Sequence, residues 1–315
     1  MEAITDLKHI LHSKRANIFY LEKCRLMQKG GRVVYLTEEK KNKQYWNIPI
    51  ANTTVILLGT GTSITQAAVR MLSSAGVLFG FSGGGGTPLL AGNEIEWMTP
   101  QSEYRPTEYI QSWMKFWFES SERLKVAKYF QTQRIAYLKK TWSKDKDLNM
   151  EGFDSKNEEL NTALEKFTNK IEQCSDTTNL LLAEAQLTKS LYKFAATQTK
   201  HKAFKRQHDS LDAANAFLNH GNYLAYGLAA TTLWVLGIPY GFAVMHGKTR
   251  RGALVFDVAD LIKDTLILPW AFVCAKEGAS EKEFRAQCLE NFTTHKALDF
   301  MFDTIKEVCK KGEKQ

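Results

Sequence analysis

The sequence predicts an α+β fold, with a small β-rich N-terminal domain followed by a larger all-helical C-terminal domain. The first observation behind this is the distribution of turn-forming residues: eleven of the twenty glycines and four of the six prolines precede residue 107. The second is the remaining chain, where helical patterns continue almost without interruption. We therefore predict domains over residues 1–103 and 107–315, joined by a linker near 100–107.

Five short runs rich in β-branched and aromatic residues predict the strands of the first domain: NIFYLE, RVVYLT, TTVILL, GVLFGF and EIEWM. QKGGR and SGGGGTP are turn sequences. A helix interrupts the strands at SITQAAVRMLSSAG, with Ser63 as its N-cap and Gly76 as its end. The glycines at 83–86 lack the Lys and Ser or Thr of a phosphate-binding loop, so we interpret them as a flexible hairpin.

The segment GTGTSI (Gly59–Ile64) follows a predicted strand and precedes the predicted helix, as a dinucleotide-binding turn does. However, Ile64 stands where the third glycine of that motif belongs, and we expect no clear β-α-β alternation after it. A tight strand-to-helix turn is the favoured interpretation. A nicotinamide-dependent enzyme built on this turn is the weaker alternative.

The second domain is predicted to be helical over 107–142, 156–174, 177–197, 209–236, 257–275 and 281–308, with a loop at 143–155. Trp113, Phe116 and Trp117 share one helical face. Base stacking on this face is possible, but a core stripe is the favoured interpretation.

Residues 213–247 contain no Asp, Glu, Lys or Arg and are long enough to span a membrane. Asn215, Asn219, His220 and Asn222 lie near the start of this stretch, and Gly237-Ile-Pro interrupts it. We therefore predict a buried core helix rather than a membrane span.

The overall charge and the cysteines set broad limits on function. A net charge of +8 and a pI near 9.1 favour a polyanionic partner. The five cysteines are dispersed without a C-x-x-C pair, which is typical of reduced thiols rather than of disulfides or a zinc site. With no secretory signal pattern at the start, we expect a cytoplasmic protein.

Basic residues are concentrated in two stretches. From residue 189 to 206 there are six and no acid, a pattern that favours phosphate binding over an ordinary solvated surface. Residues 121–146 hold eight basic residues against two acids. The predicted DNA-binding residues are Lys189, Lys193, Lys200, Lys202, Lys205, Arg206, Lys248, Arg250 and Arg251.

Several acids lie in apolar surroundings. Glu184 shares a helical face with Leu180, Leu187 and Leu191. Asp257, Asp260 and Asp264 fall at i, i+3 and i+7 within ALVFDVADLIKD, so they share one helical stripe, where like charges repel.

Each of these residues has an unremarkable interpretation: a snorkelling surface Glu, structural ion pairs, or, for His246, a hydrogen-bonded core histidine. Together, carboxylates and an imidazole near phosphate-attracting basic residues indicate a divalent cation, and oxygen ligands suit Mg²⁺ or Mn²⁺ better than structural zinc. The residues alone therefore indicate metal-dependent phosphodiester chemistry.

The order of these motifs resembles a known family. Glu184-Ala-x₆-Tyr192, then DAANAFLNHGNYLAYG, then GIPYGFAVMHG and FDVADLIKD are similar to the CRISPR-associated integrases often called Cas-one, the endonuclease subunits of spacer acquisition. The helical insertions and the overall sequence pattern are most similar to the subtype I-F branch. One departure is Ala185, where many members have glycine.

The resemblance implies roles for particular residues. Glu184, His246 and Asp260 match the family's metal ligands, and Asp257 matches its supporting catalytic carboxylate. The implied reaction is metal-dependent cleavage and transesterification of DNA, in which the 3′-hydroxyl of a captured fragment attacks the CRISPR repeat boundary. His246 is open to a second role, as a proton shuttle.

The resemblance also implies partners: double-stranded DNA with single-stranded ends, a homodimer formed through the β-rich domains, and a second Cas protein, fused in subtype I-F to a helicase-nuclease. The competing hypothesis is a nucleic-acid-binding scaffold without catalysis. It keeps the basic patches and treats the acids as structural ion pairs.

Overall fold

The computed structural model describes residues 17–39, 42–83, 96–98, 107–201, 204–207, 212–247 and 252–313. The chain divides into two compact units, Met1–Arg105 and Pro106–Gln315. The first carries the eight described strands, and the second is helical, so the predicted α+β class is confirmed. The glycines at 84–86 and the predicted DNA-binding residues Lys202, Lys248, Arg250 and Arg251 lie outside the described residues.

The first unit contains two four-stranded sheets and a helix, α1 (Gln66–Ser74). One sheet has the order β1-β5-β7-β8 and the other β4-β3-β2-β6. The strands are β1 (Asn17–Leu21), β2 (Arg25–Lys29), β3 (Arg32–Glu39), β4 (Asn42–Ile48), β5 (Thr53–Leu58), β6 (Ser63–Ile64), β7 (Leu78–Phe81) and β8 (Glu96–Met98). A 3₁₀ turn at Ile50–Asn52 precedes β5.

Strand β5 is buried along its whole length, as the all-apolar run TTVILL leads one to expect of a parallel strand covered on both faces. It pairs in parallel with β1 and with β7, and α1 connects β5 to β7. This β5-α1-β7 unit contradicts the expectation that no β-α-β alternation follows GTGTSI. The expectation was wrong because SITQAAVRMLSSAG was not combined with GVLFGF into one crossover.

The turn at 59–62 is tight, as favoured, but it leads into the two-residue strand β6, and α1 begins only after that strand. A side chain at Gly59 would meet the Tyr20 hydroxyl at 2.4 Å, so packing against Tyr20 explains this glycine without a nucleotide. The N-cap of α1 is Thr65, whose side chain accepts from Ala68 N, rather than the predicted Ser63, which lies in β6.

Strands β2 and β4 were not predicted because their sequences, RLMQK and NKQYWNI, are mostly polar. Gly30 and Gly31 form a two-residue hairpin loop between β2 and β3, and both have positive φ, which only glycine adopts without strain. In β4, Tyr45 and Trp46 are 45% and 50% exposed. In the part of the sheet that the structure describes, β4 pairs with β3 alone and forms an edge.

The second unit consists of ten described helices and a π-helical segment. They are α2 (Glu108–Trp117), α3 (Ser120–Trp142), α4 (Lys146–Met150), α5 (Glu158–Gln173), α6 (Thr177–Gln198), α7 (Ala213–Val235), α8 (Ala253–Ile262), the π segment Lys263–Ile267, α9 (Leu268–Glu277), α10 (Glu281–Thr294) and α11 (Ala297–Glu313). Three helices predicted as continuous are therefore divided, one near Phe118, one by the π segment and one at Lys296, whose φ is +54°.

Helix α7 is the buried centre of this unit, packed against α8, α9, α10 and α11. Its burial confirms the predicted core helix for the uncharged stretch. Within the described residues, no helix is both long enough and apolar enough to cross a membrane.

The π segment has a local cause at its C-terminal end. Pro269 is the second residue of α9 and lacks the N–H that would bond the carbonyl of Thr265 in a regular helix. The Trp142 indole donates to that carbonyl instead, at 2.9 Å. This keeps a buried carbonyl paired and ties α3 to the segment that carries Lys263 and Asp264.

Candidate active site

Asp257 builds the loop that carries His246. Its carboxylate, 3% exposed, accepts from the backbone nitrogens of Val244, Met245 and His246 at 2.7, 3.2 and 3.0 Å. Its Oδ1 also lies 2.6 Å from Nδ1 of His246. Because one ring nitrogen bonds Asp257, the ring is held with Nε2 as its outward nitrogen.

Two tryptophans of α2 hold the preceding part of the same loop. Trp113 Nε1 donates to the carbonyl of Phe242 at 3.1 Å, and Trp117 Nε1 donates to that of Ala243 at 2.8 Å. Trp113 is fully buried and Phe116 is 7% exposed. The core-stripe interpretation is therefore confirmed for these two residues, and α2 acts as a support for the His246 loop.

Asp260 faces two positively charged or titratable groups. The ammonium of Lys263 contacts its Oδ1, and Nε2 of His246 lies 3.9 Å from its Oδ2. Burial alone would raise the pKa of Asp260, but Lys263, Arg134 and His246 together lower it below its ordinary value. Asp260 is therefore held as a carboxylate despite being 4% exposed.

His246 is affected by the same carboxylates. Burial would lower the pKa of the imidazole, but its hydrogen bond to Asp257 and the charges of Asp260 and Asp257 raise it above its usual value. The 3.9 Å between Nε2 and Asp260 Oδ2 exceeds a hydrogen bond. His246 Nε2 and Asp260 Oδ2 therefore face each other without a hydrogen bond between them.

Glu184 lies on α6 and is paired with a residue that the sequence analysis did not single out. Arg134 of α3 donates from Nη1 to Glu184 Oε1 at 2.9 Å, and its Nη2 lies 2.5 Å from Asp264 Oδ2. The Arg134 side chain is 3% exposed. Sequence counting placed it in the basic stretch 121–146, but it is a buried partner of two carboxylates.

Asp264 completes the stripe of three aspartates. It lies in the π segment and faces Arg134, whereas Asp260 faces Lys263 and Asp257 faces the His246 loop. Burial raises the pKa of Asp264 above its ordinary value, with Arg134 opposing that rise. Most of the predicted repulsion is thus relieved by giving each aspartate its own positive or N–H partner.

We name Glu184, His246, Asp257, Asp260 and Asp264, with Arg134 and Lys263, the carboxylate cluster. When all four acids are ionised, two permanent cations leave two negative charges uncompensated. One divalent cation would balance them, and the donor set of carboxylate oxygens and one imidazole suits Mg²⁺ or Mn²⁺. Across the described ranges, however, no three His, Cys, Asp or Glu side chains meet closely enough to hold an ion as they stand.

Five of the predicted DNA-binding residues line one groove of about 830 Å³, together with Tyr192 and Phe204. They are Lys189, Lys193, Lys200, Lys205 and Arg206. Arg206 also donates to the side chains of Asn215 and Asn219, at 3.0 and 2.6 Å. We name this surface the basic groove.

The basic groove opens beside the carboxylate cluster. Tyr192 lines the groove, and its phenol lies within electrostatic range of Arg206, Asp264 and Lys263. Burial is the largest of the effects that raise its pKa. A chain of phosphates in the groove would therefore pass close to the buried acids.

A family model described as CRISPR associated protein Cas1 matches residues 19–298. The chain belongs to the Cas1 family. Two of the relatives that cover nearly its whole length are named CRISPR-associated endonuclease Cas1. The one from Pseudomonas aeruginosa (strain UCBPP-PA14) is 55% identical over 98% of this chain and 97% of its own. The one from Pectobacterium atrosepticum is 52% identical over 98% and 96%.

Solved structures similar to this Cas1-family chain share its fold at low sequence identity. A TtCas1–DNA complex superposes with a TM-score of 0.67 at 21% identity, covering 93% of this chain and 91% of the other. A casposase bound to integration product gives 0.70 at 12%, covering 93% and 91%. A Cas6-RT-Cas1–Cas2 complex gives 0.68 at 12%, covering 96% of this chain and 35% of the other.

Proposed function

We propose that this Cas1-family chain is a metal-dependent DNA endonuclease and integrase of CRISPR adaptation. It would insert foreign DNA fragments as new spacers into the CRISPR array by transesterification. The observation that carries this proposal is a cluster of four carboxylates, three of them buried, and one imidazole, which lies beside a basic groove. The names of the relatives, which are endonucleases, and of the DNA-bound structures support it.

Glu184, His246 and Asp260 are the residues that would hold Mg²⁺ or Mn²⁺. The ion would supply Lewis acidity and charge neutralisation at the scissile phosphate. Asp257 fixes the His246 ring through Nδ1, so that Nε2 is the atom available as a ligand. As the alternative role, the same Nε2 would accept the proton of the attacking hydroxyl.

The basic groove would hold the phosphates of DNA whose single-stranded end reaches the carboxylate cluster. Lys189, Lys193, Lys200 and Lys205 carry flexible ammonium groups suited to backbone phosphates rather than to base edges. We assign Lys202, Lys248, Arg250 and Arg251 to the same path on sequence grounds.

For partners, we propose a homodimer formed through the β-rich unit and a second Cas protein, fused to a helicase-nuclease as the subtype I-F resemblance implies. The β4 strand supports an interface, because among the described residues it pairs with β3 alone and its Tyr45 and Trp46 side chains are half exposed. A Cas1–Cas2 assembly among the similar structures supports the second partner. A stable monomer in light scattering at micromolar concentration would contradict the dimer.

A non-catalytic DNA-binding scaffold is the second candidate, and a specific observation favours it. Glu184 and Asp260 are already paired with Arg134 and Lys263, as structural ion pairs would be. Nicking of supercoiled plasmid with Mn²⁺ and with EDTA separates the candidates. The proposed enzyme relaxes plasmid only with Mn²⁺ and loses this activity in Asp260→Asn, whereas a scaffold binds plasmid in both buffers and relaxes it in neither.

A further inference from the structure

Arg134 is a buried cation at the centre of the carboxylate cluster, to which the proposed reaction assigns no role. A buried guanidinium is stable only when its donors are paired. The Arg134 fork meets side chains on three different elements: Gln131 of α3, Glu184 and Thr188 of α6, and Asp264 of the π segment.

Arg134 contacts only one of the two carboxylate oxygens of Glu184, Oε1. Arg134 Nη1 donates to Oε1 at 2.9 Å, and the Thr188 hydroxyl donates to the same Oε1 at 3.2 Å. Neither donates to Oε2. Asp260 is arranged in the same way, because Lys263 contacts Oδ1 while His246 Nε2 lies nearer to Oδ2. In both acids a cation, buried Arg134 or partly exposed Lys263, holds one oxygen and not the other.

A second contact links Arg134 to the His246 loop. Arg134 Nη1 also donates to Gln131 Oε1 at 3.2 Å, and Gln131 Nε2 donates to the sulfur of Met245 at 3.4 Å. Met245 precedes His246, and its backbone nitrogen is bound by Asp257. Arg134 is therefore connected to the supports of both Glu184 and His246.

We propose that Arg134 is a positioning residue, which holds Glu184 through Oε1 so that Oε2 is the oxygen presented to the divalent cation. The inference rests on the proposed function. The planar fork of arginine reaches two carboxylates at fixed angles, whereas a lysine ammonium has no such geometry.

The test is the charge-neutral double variant Arg134→Gln/Asp264→Asn in the full-length chain. Because it removes one positive and one negative charge, a change in metal affinity reports orientation rather than net charge. We expect Mn²⁺ affinity, measured by calorimetry and by electron paramagnetic resonance of free Mn²⁺, to fall about 10–100-fold, as on loss of other residues that orient ligands. The matched control is Glu151→Gln/Lys276→Gln, which removes an exposed ion pair of the same unit and should bind Mn²⁺ as wild type does.

Arg134→Lys is the second variant, which keeps the charge if the double variant does not fold. It should also weaken Mn²⁺ binding, and circular dichroism in EDTA checks that both variants are folded. Unchanged affinity in a folded variant would make Arg134 only the charge partner of Asp264 and overturn the inference. Tighter binding would also overturn it, because Arg134 would then compete with the ion for Glu184. A wild type that binds no Mn²⁺ would overturn the proposed metal site itself.

Discussion

The carboxylate cluster and the basic groove are both rich in charge, and they use it in opposite ways. In the cluster, Arg134 and Asp264 are 2% and 5% exposed and bonded to each other. In the groove, the Lys193 side chain is 79% exposed, and its one described ion pair, with Glu159, spans 3.7 Å. Buried charges with fixed partners define positions of atoms, whereas exposed charges define an attractive surface that salt weakens.

This contrast predicts that substitutions in the cluster act on chemistry and stability, and that substitutions in the groove act on affinity. The largest expected effect is that of Asp260→Asn. It should reduce the rate of Mn²⁺-dependent nicking strongly, because Asp260 is a proposed ligand. Substituting a residue that only orients a ligand typically costs about 10–100-fold, and we expect a larger loss here. It should also lower the thermal midpoint, because breaking a buried ion pair costs about 3–5 kcal/mol. Since Lys263 is partly exposed, we expect a cost at the lower end of this range.

The double variant Asp260→Asn/Lys263→Met sharpens this prediction. It removes the stranded ammonium, so it should recover most of the stability but none of the nicking. Plasmid nicking and thermal scans of both variants measure the two effects separately. An Asp260→Asn protein that nicks plasmid normally would remove Asp260 from the site.

Asp257→Asn should have the next largest effect, about 10–100-fold on nicking. An amide keeps one acceptor oxygen, so it cannot serve three backbone N–H groups and the His246 ring together. Hydrogen exchange should then show faster opening of residues 244–246, while plasmid binding is unchanged. Unaltered exchange there would mean that Asp257 does not hold the loop.

In the groove, we expect changing Lys189, Lys193, Lys200 and Lys205 to Ala together to reduce the salt dependence of DNA binding. Each lost phosphate contact should lower the slope of log affinity against log salt by about 0.9 for duplex and about 0.7 for single strands. Thermal stability should not change. Affinity titrations at several salt concentrations measure the slope, and an unchanged slope would place the DNA path elsewhere.

The smallest expected effect is the loss of stability on changing Asp145, which is neither in the buried carboxylate cluster nor in the exposed basic groove. It caps α4 and lies 3.2 Å from the His295 ring. Burial would raise its pKa, but His295 and the backbone of α4 lower it below 3.8. A lowered carboxyl pKa contributes stability above the unfolded value, and that stability is lost as pH falls through the folded value.

The variant Asp145→Asn should therefore cost about 1–2 kcal/mol of unfolding free energy near neutral pH. The difference from wild type should vanish below the lowered pKa. Urea unfolding across this pH range measures it. If the difference in unfolding free energy between wild type and variant persists in acid, the Asp145 side chain stabilises the protein by packing or hydrogen bonding rather than by its charge.

Sequence patterns predicted the apolar strands and most of the helices because local composition determines them. They did not predict β2, whose residues are mostly polar and whose strand character depends on pairing with β3 across Gly30-Gly31. Arg134 shows the same limit within the site. Counting charge along the chain placed it on a basic surface, although Ala127, Gln131 and Leu138 share its buried face. Their spacing of three and four residues would have indicated that Arg134 is on the buried face of α3.

The shared stripe of the aspartates was predicted from helical spacing, but their different partners were not. A spacing rule assumes a regular helix, and the π segment begins at Lys263, between Asp260 and Asp264. Asp260 pairs with Lys263, three residues away, which helical spacing could have indicated. Asp264 and Glu184 share Arg134 of α3, which is distant in sequence, so only the tertiary fold shows Arg134 as their counterion.

The π segment also bears on insertions and deletions. A π turn accommodates one more residue than an α turn, so removing any one residue from 263–267 would allow a regular helix to run from α8 into α9. Because the lost residue is the extra one of the π turn, α9 would keep nearly its present rotation relative to Asp260. Trp270 and Phe272 would then stay on the faces on which they are now buried. A one-residue deletion within α8 or α9 would instead rotate everything after it by about 100°, so a gap should be tolerated better in this segment than in the helices on either side.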